Sequence, residues 1–412
     1  MRTALVASAT ALLLACGTTA AGSAPVPDNP WLGQRVMNMA HSGGEDEAPM
    51  NTMYAFERAE ELGADMLELD VQLTADGDLA VIHDATVDDS TDHTGRVADF
   101  TMEQLRAMDA AHWFVPGRST VHDDPDADHP LRGARYGDVT VAGHEPSDFG
   151  VPSLQDVLDR FPDTPVNIEI KGSGTPESFL AAAEALGGQL ADADRTDLIV
   201  GSFDDAALAR FHELAPQVDM SAGQQAMISY YLTDAPLPEG VVALQVPITY
   251  SGLRVVTRDF VDRAHEDGYA VHAWFSGSAP DDASTYAEVV DTCVDALMPA
   301  RPSVLEEVFA DLGTERPTPG GTAPRSECAL DGPTDPGEPT EPTDPGEPIE
   351  PTEPGEPTDP GEPTDPGEPT DPTSPTQPTT GADGDESTTP AGEPERPRIV
   401  QTDGISAAPA AR

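Results

Sequence analysis

The feature that most constrains the fold of this chain is a regular alternation of strand-like and helix-like segments between about residues 35 and 312. Short apolar runs predict the strands, and apolar residues at helical spacing predict the helices between them. The predicted strands cover residues 35–40, 66–73, 79–82, 166–171, 198–202, 218–222, 241–246, 270–275 and 295–298. The predicted helices cover residues 52–62, 101–110, 153–161, 177–190, 204–214, 258–267, 286–293 and 302–312. About eight strand-helix units of this length predict an α/β fold, a TIM (β/α)8 barrel, rather than an open sheet.

Composition divides the 412 residues into unequal parts. We predict a barrel over residues 30–312, with a small insertion at 86–150 after the second strand. Long irregular stretches in a compact domain usually act as lids or binding loops. Inside the insertion, residues 131–141 predict an irregular hairpin. A connector at 313–331 leads to a tail at 332–412, where PTDPGEP-like units contain few apolar side chains. Such a segment cannot bury enough surface to offset its ordering entropy, so we expect a disordered acidic stalk.

The charge balance excludes one class of partner. The chain carries 21 basic and 75 acidic residues, a formal net charge of −54. Proteins that bind nucleic acid normally use Lys and Arg to displace phosphate counterions, so this excess of acid argues against such binding.

The first 24 residues are typical of a signal peptide, with Arg2 followed by a short apolar run. Leu13-Leu14-Ala15-Cys16 resembles a bacterial lipobox, in which Cys16 is acylated after cleavage. The alternative is ordinary secretion with cleavage near Ala24. Both interpretations predict an extracytoplasmic protein, secreted or lipid-anchored at the outer face of a bacterial membrane, with the tail as a possible cell-wall contact.

Two further cysteines, Cys293 and Cys328, form an even pair in an oxidising compartment. A disulfide between them is expected there, with two free thiols as the alternative.

The stretch Met66–Asp84 predicts a metal-assisted site. Glu68 and Asp70 alternate with apolar residues on a buried strand, so they share one face. Glu169 occupies a similar place on a later strand. Three oxygen ligands suit a hard divalent cation, Ca²⁺ or Mg²⁺, because buried charges are generally paired or metal-bound. The alternative is a metal-free network of these carboxylates with Lys171.

His41 and His83 follow two strands at the predicted barrel mouth. On opposite sides of a bound phosphate, one histidine would deprotonate the attacking oxygen and the other would protonate the leaving oxygen. Lys171, Ser42 and Trp274 are candidates for phosphate or substrate contacts, with packing at the barrel mouth as the alternative for Trp274.

The segments MAHSGG, GADMLELDVQLTADGDLAVIHD, TGRVADFTMEQL and NIEIK resemble the glycerophosphodiester phosphodiesterases, with gaps, from about Val36 to Phe309. The resemblance implies a phosphatidylinositol-phosphodiesterase-like TIM barrel with an inserted small domain. It places His41 and His83 on the acid-base histidines of the family and Lys171 on its phosphate-side lysine. It also implies that the metal ligands are Glu68, Asp70 and Glu169.

Three places depart from the family pattern. The Thr-Asp pair usual in the family's last strand-end loop is replaced around Pro299-Ala300. Ser42 stands where the family has an arginine, and Met50 replaces the glutamate of a Glu-Asn-Thr motif. Losing the arginine removes a bidentate contact to phosphate.

From these residues we expect a metal-dependent hydrolase that cleaves glycerophosphodiesters, small or lipid-derived, to an alcohol and glycerol phosphate. The sequence leaves open whether water or a substrate hydroxyl attacks phosphorus. Two alternatives remain: a lysophospholipase D or sphingomyelinase D-like lipid phosphodiesterase, and a non-catalytic surface binding protein on a decayed barrel.

Overall fold

The computed structural model describes residues 29–32, 36–118, 127–277 and 279–314. In chain order the strands are β1 Met37–Ala40, β2 Met66–Leu73, β3 Leu79–Val81, β4 Val166–Ile170, β5 Leu198–Gly201, β6 Asp219–Ser221, β7 Val241–Pro247, β8 Thr249–Tyr250, β9 Leu253–Arg254, β10 Ala270–Trp274 and β11 Ala296–Met298. Eight of them are parallel and neighbour one another in the order β1-β11-β10-β7-β6-β5-β4-β2. Because β1 also pairs with β2, the sheet closes on itself. The predicted TIM barrel is confirmed.

A helix follows each barrel strand. The helices are α1 Met53–Leu62, α2 Met102–Ala107, α3 Leu154–Arg160, α4 Pro176–Leu190, α5 Asp205–Leu214, α6 Gln224–Thr233, α7 Arg258–Glu266, α8 Ala283–Val290 and α9 Pro302–Leu312. Side-chain oxygens satisfy free backbone N–H groups at several of their starts, as Thr52 does at α1 and Ser153 at α3. None of the helices in the described residues is both long and apolar enough to cross a bilayer.

The side chains of β2 show how the barrel separates its core from its site. Leu67, Leu69 and Val71 face outward and pack in the same cluster as Phe56 of α1. Met66 faces inward, in a separate apolar cluster at the barrel interior that includes Trp31. Further along the strand, the inward positions become polar. The barrel therefore has an apolar lower layer and a polar upper layer at the carboxyl ends of the strands.

The strand β3 does not belong to the barrel wall. It pairs antiparallel with β2 across the turn at Gly77, and it brings the chain back over the strand ends. The residues after it form the insertion, which packs around its own apolar cluster, including Val97, Leu105 and Met108.

The predicted hairpin at residues 131–141 is wrong. This segment is a series of turns around a short 3-10 helix, Ala134–Tyr136, flanked by Gly133 and Gly137 in left-handed backbone conformations. Two such glycines so close together reverse the chain before an extended ladder can form. The signal segment at 1–24, most of the connector and the tail lie outside the described residues.

Candidate active site

Three carboxylates meet at the mouth of the barrel. Glu68 and Asp70 lie two residues apart on β2, and the parallel pairing of β2 with β4 sets Asp70 beside Glu169. One oxygen from each lies within 4.8 Å of one from each of the others. Glu68 and Asp70 are almost completely buried, at 2% and 1% exposure.

Lys171 is the cation that faces this group. Its Nζ lies 2.9 Å from Oε1 of Glu169 and 3.3 Å from Oδ1 of Asp70. Burial by itself would lower the pKa of Lys171, but the charges of Glu169 and Asp70 raise it above its ordinary value. Burial likewise opposes ionisation of Asp70, yet Lys171 and two histidines hold the pKa of that carboxyl below its usual range.

Glu68 is the carboxylate of this group that resists ionisation. Burial and the neighbouring charge of Asp70 raise the pKa of Glu68 to about 8. This buried carboxylate therefore holds its proton near neutral pH. A hard divalent cation prefers all-oxygen ligands and would keep this carboxylate ionised, so the donor set fits such an ion.

The two histidines stand beside the carboxylates. His41 follows β1 directly and His83 lies two residues after β3; both line an open cleft of about 550 Å³ together with Glu68, Glu169 and Lys171. Their strands are not adjacent, because β1 and β3 each pair with β2 and not with one another. Each histidine still reaches the cleft because β2 lies between their strands.

Each histidine has a carboxylate on its Nδ1 atom. Glu45 Oε1 lies 2.8 Å from Nδ1 of His41, and Asp84 Oδ1 lies 2.9 Å from Nδ1 of His83. Burial would lower the pKa of His41, but Glu45, with Glu68 and Asp70, raises it well above 6.5. Burial and Lys171 oppose the charged form of His83, whose pKa Asp70 and Asp84 nevertheless raise to about 9.

Ser42 lies behind the carboxylates. Its side chain is fully buried, its backbone N–H donates to Oε2 of Glu68 at 2.7 Å, and its hydroxyl donates to Oδ2 of Asp70 at 3.2 Å. Nδ2 of Asn51 donates to the same oxygen of Asp70 at 2.9 Å. Ser42 thus orients two carboxylates through these hydrogen bonds. The predicted contact between Ser42 and substrate stays a prediction.

Trp274 closes another side of the cleft, edge-on to Phe203 with ring centroids 5.8 Å apart. Phe203 also lies 6.0 Å from Nζ of Lys171. In this position the Trp274 side chain can both pack at the barrel mouth and contact a substrate in the cleft.

Three further residues of the site were not predicted from the sequence. Glu45 and Asn51 lie in the irregular loop between β1 and α1, and Asp281 lies in the loop before α8. Of these residues, Asn51 could have been found from the sequence, because it belongs to the Met50-Asn51-Thr52 segment that corresponds to the family's Glu-Asn-Thr motif. Burial raises the pKa of Asp281 to about 6, and Glu45 adds to this rise.

A second group of candidate ligands lies away from the cleft. Glu57, His144 and Asp148 are close enough to hold an ion. The guanidinium of Arg160 already contacts the carboxylates of Glu57 and Asp148. Since this cation offsets their charge, we assign no metal there.

The predicted lipidation and disulfide involve residues outside the description. Cys16 and Cys328 both lie there, so acylation and the Cys293–Cys328 pairing stay predictions. Cys293 is buried and disulfide-bonded, with its partner outside the described residues.

The closed barrel, the carboxylate cluster and the two histidines define a TIM-barrel protein with an acidic cleft at the carboxyl ends of its strands. Residues 41–299 match the model of the glycerophosphoryl diester phosphodiesterase family. This chain belongs to that family.

Curated relatives and a solved structure agree. A glycerophosphodiester phosphodiesterase of Bacillus altitudinis is 35% identical over 190 residues, 44% of this chain and 64% of the relative. The enzyme of that name from Caldanaerobacter subterraneus subsp. tengcongensis is 34% identical over 191 residues, 45% of this chain and 65% of the relative. The chain thus spans less than two thirds of their length. The glycerophosphoryl diester phosphodiesterase domain of a Mycobacterium tuberculosis protein shares the fold, with a TM-score of 0.50, 18% identity, and coverage of 68% of this chain and 100% of the other.

Proposed function

We propose that this protein is a metal-dependent glycerophosphodiester phosphodiesterase that releases an alcohol and glycerol phosphate. The observation that carries the proposal is the convergence of His41, His83 and Lys171 with the carboxylate cluster in one cleft. Names of the curated relatives support the same activity. Small-molecule and lipid-derived phosphodiesters both fit the proposal.

The chain's own residues divide the chemistry. Glu68, Asp70 and Glu169 would hold the cation, Ca²⁺ or Mg²⁺. When bound, the cation supplies Lewis-acid stabilisation of phosphate oxygens. Lys171 stabilises negative charge on the phosphate. One histidine accepts the proton of the attacking oxygen, and the other donates a proton to the departing alcohol.

We further propose that the protein works outside the cytoplasm, secreted or lipid-anchored through Cys16. The support is the signal-like N-terminal sequence, and the tail is a candidate for contact with a cell wall.

The test is release of alcohol and glycerol phosphate from soluble glycerophosphodiesters by the wild type and by His41→Ala, with Ca²⁺ or Mg²⁺ present. We expect turnover by the wild type and a loss of about 100-fold or more in kcat in the variant, because general acid-base catalysis contributes that much. Equal rates in both proteins would refute the assignment of His41, and no turnover of any phosphodiester by folded wild type would refute the function.

One observation favours a lipid phosphodiesterase as the second candidate. The β8–β9 hairpin follows β7 on the cleft side of the barrel and exposes Tyr250 and Leu253, at 40% and 52%. Such apolar side chains favour contact with dispersed lipid. A kcat/KM higher for lysophospholipid micelles than for glycerophosphocholine would select this candidate, and the reverse order would reject it.

A further inference from the structure

Glu45 contacts His41 in a way that fixes which nitrogen of the ring faces substrate. Oε1 of Glu45 lies 2.8 Å from Nδ1 of His41, and only 10% of the Glu45 side chain is exposed. Since Nδ1 is occupied by this carboxylate, Nε2 is the nitrogen left for the cleft that His41 lines. A carboxylate on one ring nitrogen holds the neutral imidazole in the tautomer that carries its proton there.

The loop holds Glu45 from both sides. Gly44 has a φ of +88°, and its N–H donates to the carbonyl of His41 at 2.7 Å, which turns the chain back beneath the ring. On the other side, Asp46 accepts from Arg301 at 2.8 Å, and Glu47 accepts from the backbone N–H of Ser303 at 3.2 Å. The neighbours of Glu45 are thus anchored to the start of α9, which places its carboxylate without help from His41.

Within the described residues, the Glu45 side chain shows no comparable bond to the surrounding scaffold. Its Oε2 is buried without a hydrogen-bond partner in the described part of the chain. The neighbouring carboxylate of Asp281 accepts instead from the hydroxyl of Tyr286 and from the N–H of Ala300. Burying an underpaired carboxylate is costly, and the contact with Nδ1 of His41 offsets part of this cost.

We propose that Glu45 is a positioning residue that holds the proton of neutral His41 on Nδ1 and presents Nε2 to the reacting oxygen. The proposal rests on the proposed function for its catalytic consequence and deepens it by giving His41 the same support that Asp84 gives His83. Glu45 itself is not among the residues that line the cleft.

The kinetic test compares Glu45→Gln with Glu61→Gln in the full chain, with Mg²⁺ and glycerophosphocholine. Glu61→Gln is the control, because it removes one carboxylate charge from an exposed position on α1 and leaves both the partner of His41 and the anchors of its loop in place. We expect Glu45→Gln to lower kcat about 10- to 100-fold with little change in KM, since a misoriented acid-base group loses much of its contribution. We expect Glu61→Gln to stay within about threefold of wild type, and Glu45→Asp to recover part of the activity.

The pH profile separates positioning from a general structural defect. His41 is also faced by Glu68 and Asp70 from β2 and by Asp281 from the loop before α8. These neighbouring groups remain in Glu45→Gln. We therefore expect the limb of the pH profile that belongs to His41 to shift to lower pH, and the loss of Glu45 is the cause of that shift. An unchanged profile, or the same kinetic loss in Glu61→Gln, would overturn the proposal.

Nitrogen NMR on histidine-labelled wild type gives a readout that does not depend on turnover. His41→Asn assigns the ring signal, and spectra at alkaline pH report the neutral form. The expected result is a proton on Nδ1; a proton on Nε2 would overturn the proposal even if Glu45→Gln fails to fold. If the wild type hydrolyses no phosphodiester, the proposed function fails, and this spectrum still decides the role of Glu45.

Discussion

Residues two apart on a strand share a face, and this rule accounts for the part of the site that sequence could predict. It places Glu68 and Asp70 together on β2. It cannot place Glu45 beside His41, because a loop with two left-handed glycines has no periodicity from which direction follows. It also cannot place Asp281, whose proximity depends on how the barrel closes. The roles of the catalytic and metal-binding residues stay predictions that the structure supports by geometry.

His272 carries a pH prediction at the residue scale. It lies inside the barrel on β10 with neither ring nitrogen hydrogen-bonded within the described residues, and burial lowers its pKa to about 3. The unfolded chain binds a proton near pH 6.5 while the folded chain does not, so stability is lost as pH falls below 6.5. The loss is about 1.4 kcal/mol per pH unit until the folded pKa is approached.

Replacing His272 by leucine removes this term. Between pH 6.5 and 4.5 we expect the wild type to lose about 2 kcal/mol more of its free energy of unfolding than His272→Leu. Urea unfolding at both pH values measures the difference. Parallel losses in the two proteins would contradict the assignment.

At the scale of elements, the local spacing of apolar residues predicted most helices. It failed for a helix whose start is stabilised by a residue distant in the sequence. The residues of α6, Gln224–Thr233, show no clear polar face, and the helix was missed. Its first free N–H groups, those of Gln225 and Ala226, donate to the carboxylate of Asp205 on α5. Its start is therefore capped by a neighbouring helix, which no local signal reveals. The α8 helix begins earlier than predicted because Asp282 caps it.

The tight turn after β1, which contains Gly44, allows a prediction about stability and about the position of Glu45. Gly44 and Gly77 have similar φ values, +88° and +85°, but a Cβ on Gly44 would lie 2.8 Å from Cδ of Pro302, whereas nothing lies within 4 Å of one on Gly77. We expect Gly77→Ala to cost about 1 kcal/mol from backbone strain alone. Gly44→Ala adds an overpacking cost of about 1–3 kcal/mol and moves Glu45.

Urea unfolding and kcat measure both effects. The expected outcome is a larger loss of stability in Gly44→Ala, together with a fall in kcat that Gly77→Ala does not show. Equal stability losses and unchanged kcat in both variants would show that the turn does not position the site.

For the whole molecule, the alternation of strands and helices was enough to predict the barrel, because each parallel strand needs a crossover and the period of the pattern changes with each element. The antiparallel return of β3 and the β8–β9 hairpin modify that barrel without altering its closure. The acidic repeat tail stays a prediction from composition.

The central claim is that the carboxylate cluster holds a divalent cation on which phosphodiester cleavage depends. The most direct measurement starts from protein that has been treated with a chelator to remove bound metal. Binding of added Mg²⁺ or Ca²⁺ is followed by calorimetry, and recovery of glycerophosphodiester hydrolysis is followed in the same preparation. Glu68→Gln is compared with Glu57→Gln, which alters the second carboxylate group beside Arg160. We expect activity to return with the same concentration dependence as binding. We also expect Glu68→Gln to weaken both by at least about 10-fold, because a ligand carboxylate is lost, while Glu57→Gln changes neither. Full hydrolysis in chelator, or binding that Glu68→Gln leaves intact, would contradict the account.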